Sequence, residues 1–306
     1  MGGLAVRVRK SARSAGSALS RVALAARPGA SARAPWERSI LDDIAMKRPW
    51  NLVLKMARLR AVLRRGRLER GVTVLIVNWN TRQVLADVLV AVRHFGPPDV
   101  RILVVDNGST DGSADLLKAH PGVRAVMLPF NAGHGAALDL GMYLARTDIV
   151  VTLDSDAIPL REGWLEPAVR PLLSGEVLLA GLRSRRGFAH PVYLAVDTET
   201  FIRRRLSFQV HWQPGVTDSN AVWGFNAFDT AELMAPRLAP REVLLIEATP
   251  NGAADLPGMT AAGVVYHHGG VSRAADGSVE PDAFQSWRQA CEALGLQRVL
   301  TAPSEQ

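Results

Sequence analysis

A chain of 306 residues, 48% of them apolar, can bury the core of one large α/β domain or two small ones. Its single cysteine, Cys291, excludes an internal disulfide, and no apolar run approaches the roughly 20 residues of a membrane-spanning helix. The net charge of +7 is unevenly placed: residues 1–70 hold 17 Lys/Arg and four Asp/Glu, and residues 71–306 hold 19 and 25, which excludes a basic, nucleic-acid-binding character for the larger part.

Residues 1–39 are rich in Ala, Arg, Ser and Gly without an apolar period, and are expected to form a disordered basic extension. They lack the continuous apolar stretch of a secretory signal, although their composition has some likeness to an organellar transit peptide. In residues 40–70 the character changes. Leu52, Met56, Leu59 and Leu63 recur at helical spacing, with Lys55, Arg58, Arg60, Arg64, Arg65 and Arg67 filling much of the remainder. A basic amphipathic helix is expected, either lying on an anionic membrane surface or packed on the domain with a solvated basic face.

A third segment, 71–306, carries the fold. Residues 72–77 read as a strand, 82–95 as a helix, 100–105 as a strand, 115–120 as a helix, 123–128 as a strand, 131–145 as a helix and 149–153 as a strand. This alternation requires a mostly parallel sheet flanked by helices, an α/β fold of Rossmann-like character. The donor half of such a domain is 71–160. An irregular half, 161–280, follows, with helices expected at 165–173 and 198–204, strands at 177–180, 192–196, 243–246 and 263–266, and an Arg-rich loop at 183–190. A terminal helix is expected within 281–306.

Polar clusters stand at the carboxyl ends of the strands, where open α/β sheets bind ligands. Asn78-Trp79-Asn80-Thr81 follows the first strand and Asp106-Asn107-Gly108-Ser109 the second. The run 150–153 ends in Asp154-Ser155-Asp156, two carboxylates with one residue between them. Carboxylates that close repel unless a cation sits between them, and a divalent metal carrying a diphosphate satisfies the pattern. A solvated loop, or a cap for the helix that follows, satisfies it as well.

These motifs, in this order and spacing, resemble family 2 glycosyltransferases of the GT-A fold, the kind that builds cell-surface glycans and includes rhamnosyltransferases. The likeness is strong over 71–172. It implies a hexosyltransferase with a nucleotide-diphosphate-sugar donor, Mn²⁺ or Mg²⁺, and inversion at the anomeric carbon. It places Val77, Asn78, Asn80, Asp106 and Asn107 around the nucleoside, and Asn107, which both donates and accepts, suits the imide edge of uracil or thymine. Asn131, Gly133, Asp154 and Ser155 would meet the rest of the donor. Asp156 would ligate the metal, with His267, from a late His-x-x-Gly-x-Ser run ending at Ser272, as a further ligand in preference to His268. Asp229, then Glu232, then Asp218, are the candidates for the base that takes the acceptor proton. Trp212, Trp223, Phe225 and Phe228 form either an acceptor platform or core. Asp139 stands where relatives often carry Asn, and His134 is read as a surface residue in preference to one lining the site. The acceptor would be a glycan, a lipid-linked sugar or a small molecule, and the location cytoplasmic, peripheral at the inner face of the membrane. A retaining enzyme, a nucleotidyltransferase, and a non-catalytic binder of nucleotide-sugar or glycan recruited by the basic tail remain alternatives.

Overall fold

The computed structural model describes residues 35–64 (35–49 as backbone), 66–209, 229–249, 256–269, 271 and 281–301. The expected extension up to residue 34, the aromatic stretch with Trp212, Asp218, Trp223, Phe225 and Phe228, and Arg65 and Ser272 lie outside the described residues. The chain divides into two units, Met1–Arg48 and Pro49–Gln306. Of the first, only helical backbone from Pro35 is described.

The second unit is built on a seven-stranded sheet. Its strands are β1 (Glu69–Asn78), β2 (Arg101–Asp106), β3 (Val123–Met127), β4 (Thr147–Asp154), β6 (Leu179–Arg183), β7 (Ala189–Asp197) and β8 (Val243–Ile246). Their spatial order is β3-β2-β1-β4-β7-β6-β8, and β7 alone runs against the others. The expected mostly parallel sheet is therefore present. The Arg-rich stretch expected as a loop contributes instead the turn and first residues of a β6–β7 hairpin.

Alternation along β1 explains the layers. Val74 and Ile76 face one core, with helices α2 (Arg82–Phe95), α5 (Glu166–Leu173) and α7 (Pro281–Ala293). Leu75 and Val77 face the other, with α4 (His134–Leu144), α6 (Thr198–Arg203) and the last turns of α1 (Pro35–Arg64). A strand covered on both faces must be apolar throughout, as these are. Short helices α3 (Ser113–Ala119) and α8 (Gln297–Leu300) complete the set.

A second sheet holds β5 (Ala157–Pro159), β9 (Ala248–Thr249), β10 (Met259–Ala261) and β11 (Val265–His267), in the order β5-β11-β10-β9 and antiparallel. It matters because it carries His267 back to the end of β4.

The chain leaves β1 for β2 and β3 on one side, then returns to β4 on the other. That reversal opens a crevice at the carboxyl ends of β1 and β4. Register places the polar strand ends there together, with Val77 beside Asp154 and Asn78 beside Asp106.

Helix α1 differs from expectation in the face it buries. Trp50, Leu54, Ala57 and Ala61 pack inward, while Leu52, Met56, Leu59 and Leu63 are exposed. The inward stripe joins the same core cluster as α4. No helix among the described residues is long and apolar enough to cross a membrane.

Candidate active site

At the end of β4 the chain turns through Asp154, Ser155 and Asp156 into β5. Strand β11 pairs with β5 so that His267 lies opposite Ala157, and the His268 amide donates to the Asp156 carbonyl at 3.1 Å. This pairing holds the His267 imidazole over both carboxylates. Its Nε2 is 3.4 Å from Asp156 Oδ1 and 4.0 Å from Asp154 Oδ2. One glycine makes the approach possible: Gly258 has φ +83°, and a Cβ there would lie 2.0 Å from the His267 carbonyl oxygen. His268 turns the other way, buried against Trp287 with Nε2 3.0 Å from Ser286 Oγ.

The donor atoms of Asp154, Asp156 and His267 all lie within 4.8 Å of one another. Ligands about 2.1 Å from an ion are about 3 Å apart when adjacent and about 4 Å apart when opposite in an octahedral shell. The separations between the imidazole and the two carboxylates fall within that spread. Two carboxylates and one imidazole suit Mn²⁺ or Mg²⁺, with positions left for donor oxygens.

His134 takes the less favoured of its two readings: it lines the site while keeping 37% of its side chain exposed. It opens α4 and sets Nε2 3.4 Å from Asp154 Oδ1. Burial alone would raise the Asp154 pKa. The hydrogen bond and charge of His134, with the charges of His267 and His190, outweigh burial and hold the carboxyl well below its usual range. The same pairing lifts the His134 imidazole above its ordinary value, against burial, which favours its neutral form.

Behind the carboxylates, the ends of β1 and β2 are locked together. Asn78 Nδ2 donates to Asp106 Oδ1 at 2.8 Å and to Ser109 Oγ at 3.1 Å, and Thr81 Oγ1 donates to Asn78 Oδ1 at 2.6 Å. The Ser109 amide donates to Asp106 Oδ2 at 3.1 Å. Asn78 and Asp106 are both buried, so their side chains brace this wall from within. Asn80, held at φ 53°, accepts the Thr110 amide at 2.7 Å. Asn107 bridges to the next loop: its Nδ2 donates to Asn131 Oδ1 at 2.8 Å and its Oδ1 accepts the Ala132 amide at 2.9 Å. Asn131 and Gly133 are exposed just before α4, and Ser155 is half-buried in the turn between the two aspartates.

Across the site, Asp229 accepts the Thr230 amide and faces His190 Nε2 at 3.5 Å. Glu232 is already engaged. It accepts the Asp229 amide at 2.8 Å and pairs with Arg186 Nη2 at 2.9 Å. Of the two candidate bases, Asp229 is therefore the one with a more open carboxylate, 47% exposed against 18%. Sequence reasoning missed His190, for no motif surrounds it; only the β6–β7 hairpin brings it to Asp229. An apolar cavity of about 240 Å³ lies beside this pair, with Phe188, Ala189, Ala231 and Met234 in its wall.

An open, mostly parallel α/β sheet with polar strand ends at its reversal point belongs to the class of folds that bind ligands in that crevice. Residues 73–226 match the model for glycosyl transferase family 2, and the chain belongs to that family. An uncharacterised glycosyltransferase of Mycobacterium tuberculosis (strain ATCC 25618 / H37Rv) is 37% identical over 113 residues, covering 37% of this chain and 49% of its own. The pre-mycofactocin glycosyltransferase of the same strain is 36% identical over 103 residues, covering 33% of this chain and 21% of its own. The chain thus spans about half the length, or less, of these curated relatives. Among solved structures, a mannosyltransferase from Pyrobaculum calidifontis in complex with GDP-Man and Mn²⁺ aligns with a TM-score of 0.41 at 21% identity, over 55% of this chain and 58% of its own.

Proposed function

We propose that this protein is a metal-dependent glycosyltransferase, moving a hexosyl group from a uridine- or thymidine-diphosphate sugar to an acceptor hydroxyl with inversion. The observation that carries the reading is the meeting of Asp154, Asp156 and His267 at the reversal point of the sheet. Those three residues would hold Mn²⁺ or Mg²⁺, which when bound offsets the charge growing on the departing diphosphate. Asp154 is kept ionised by His134, which favours cation binding at neutral pH. The Asn107–Asn131 bridge and Gly133 border the space for the nucleoside, over the wall braced by Asn78 and Asp106, with Val77, Asn80 and Ser155 at its edges.

Asp229 serves as the base. Its carboxylate takes the acceptor hydroxyl proton as that oxygen bonds to the anomeric carbon, while the bond from that carbon to the diphosphate oxygen breaks. Glu232 supports the Asp229 backbone. The cavity beside His190 and Asp229 favours an acceptor with an apolar portion near its reacting hydroxyl, such as a lipid-linked sugar.

Asp156→Ala tests the reading. Loss of a ligand to a Lewis acid worth several kcal/mol lowers transfer by about a hundredfold or more. An unchanged rate in a folded variant refutes it. A panel of nucleoside diphosphates, each with and without Mn²⁺, identifies the base: a ligand at 100 times its Kd adds about 2.7 kcal/mol of stability. The anomeric configuration of the product decides between inversion and retention.

A further inference from the structure

Helix α1 has two apolar stripes on opposite sides. The inward stripe, Trp50, Leu54, Ala57 and Ala61, is buried. The outward stripe is Leu52, Met56, Leu59 and Leu63, with 59%, 47%, 59% and 72% of their surface exposed. At about 100° per residue the two are half a turn apart. A helix on a soluble domain ordinarily shows water a polar face. Here the outer face is the more apolar of the two, and Val53 and Val62 widen it.

The charge around the stripe says what covers it. Residues 50–64 hold Lys55, Arg58, Arg60 and Arg64 and no carboxylate. Lys55 and Arg60 are exposed, each about 70° from the centre of the stripe and on opposite flanks. Arg64 is turned inward, donating to the Tyr143 and Ala145 carbonyls at 2.9 and 2.7 Å. A second copy meeting residues 50–64 across a two-fold axis would bring the cations of this stretch against their own equivalents. Residues 1–34, with seven Lys/Arg and no Asp/Glu, meet the same repulsion as a cover. Anionic headgroups over acyl chains match both the flanks and the stripe.

We infer that the outer face of α1 docks this protein on an anionic lipid surface, the helix lying in the interface. The direction of α1 gives the docking a consequence. Trp50 packs edge-on against Phe130 with ring centroids 5.8 Å apart, and Phe130 immediately precedes Asn131 at the border of the donor space. Arg64, at the far end, holds the carbonyls at the end of α4. The helix therefore runs from the mouth of the site outward along α4, and docking sets that mouth beside the headgroups. The docking itself does not rest on the proposed reaction.

Flotation of the full chain with vesicles tests it, using phosphatidylcholine alone and phosphatidylcholine mixed with phosphatidylglycerol. The chain is expected to float with the mixed vesicles only, and less so as salt is raised. Replacing two exposed stripe residues, Met56→Glu with Leu59→Glu, lowers vesicle affinity about tenfold or more at an unchanged melting temperature. Reversing the flanks, Lys55→Glu with Arg60→Glu, weakens binding without touching the stripe. Absence of flotation overturns the inference, as does binding undiminished by both pairs of substitutions, which would assign attachment to residues 1–34. So does a dimer in sedimentation that the stripe variant dissociates while vesicle binding persists.

Discussion

Asp139 ties α4 to the strap formed by residues 207–209, and its removal is expected to loosen both. The side chain is 1% exposed, in the middle of α4. Its Oδ1 accepts the Phe208 amide at 2.8 Å, and its Oδ2 accepts Ser207 Oγ and Gln209 Nε2, each at 2.7 Å. Phe208 is fully buried, so in Asp139→Ala its amide finds no water, at a cost of about 1–3 kcal/mol. Ser207 and Gln209 are half-buried and recover part of their bonding from solvent, adding about 0.5–1 kcal/mol each. The sum, about 2–5 kcal/mol, lowers the melting temperature by about 4–10 °C in a protein of this size. Asp139→Asn keeps one acceptor oxygen and should lose about 1 kcal/mol. The strap cannot simply move closer to compensate, because the Phe208 carbonyl already sits where a Cβ on Gly135 would be 2.5 Å away. Gly135 follows His134, so a loosened strap also frees the first turn of α4 and with it the His134–Asp154 contact. Urea melts of the three proteins, with Mn²⁺-dependent nucleotide binding as the second readout, are the assay. An alanine variant within about 0.5 kcal/mol of the parent refutes the reasoning.

Two further predictions concern titrating groups. Burial pushes the Asp229 carboxyl up, but contact with His190, its charge, the Thr230 amide and Arg186 outweigh burial and hold it below its usual value. A base works when deprotonated, so His190→Gln should move the acid limb of the pH–rate profile to higher pH and lower kcat, and an unmoved limb would show that His190 does not act through Asp229. Asp87 is the opposite case: burial raises its pKa, only partly countered by the hydrogen bond from Trp287 Nε1 at 2.8 Å and by Arg288. A folded-state pKa above the unfolded value gives stability that is present below the unfolded pKa and lost as pH rises through the folded one. Asp87→Asn keeps an acceptor for Trp287, so its melting temperature should gain on the parent at pH 8 and match it near pH 3; a gain confined to acid would contradict this.

The sequence made the parallel half of the fold legible for a physical reason. A strand buried on both faces must be apolar until it leaves the sheet, so Asp106 and Asp154 mark the strand ends, the edge at which open α/β sheets bind ligands. The meeting of His267 with the aspartates, at 3.4 and 4.0 Å, was accessible only through a motif, because β5, β10 and β11 are three residues each, too short for any period to show. The role of His134 was not decided by the sequence because a histidine at a helix start gives no sign of its partner; Asp154 is twenty residues further on. On α1 the misleading feature is size. Leucines and a methionine draw the eye to the stripe that faces out, while half of the stripe that faces in is Ala57 and Ala61. A large apolar residue gains from burial wherever it is found, so four of them left on the far side of a packed helix are better explained by a second apolar phase than by neglect. That is why the face the domain leaves uncovered, and not the one it buries, is the one proposed to meet a lipid surface.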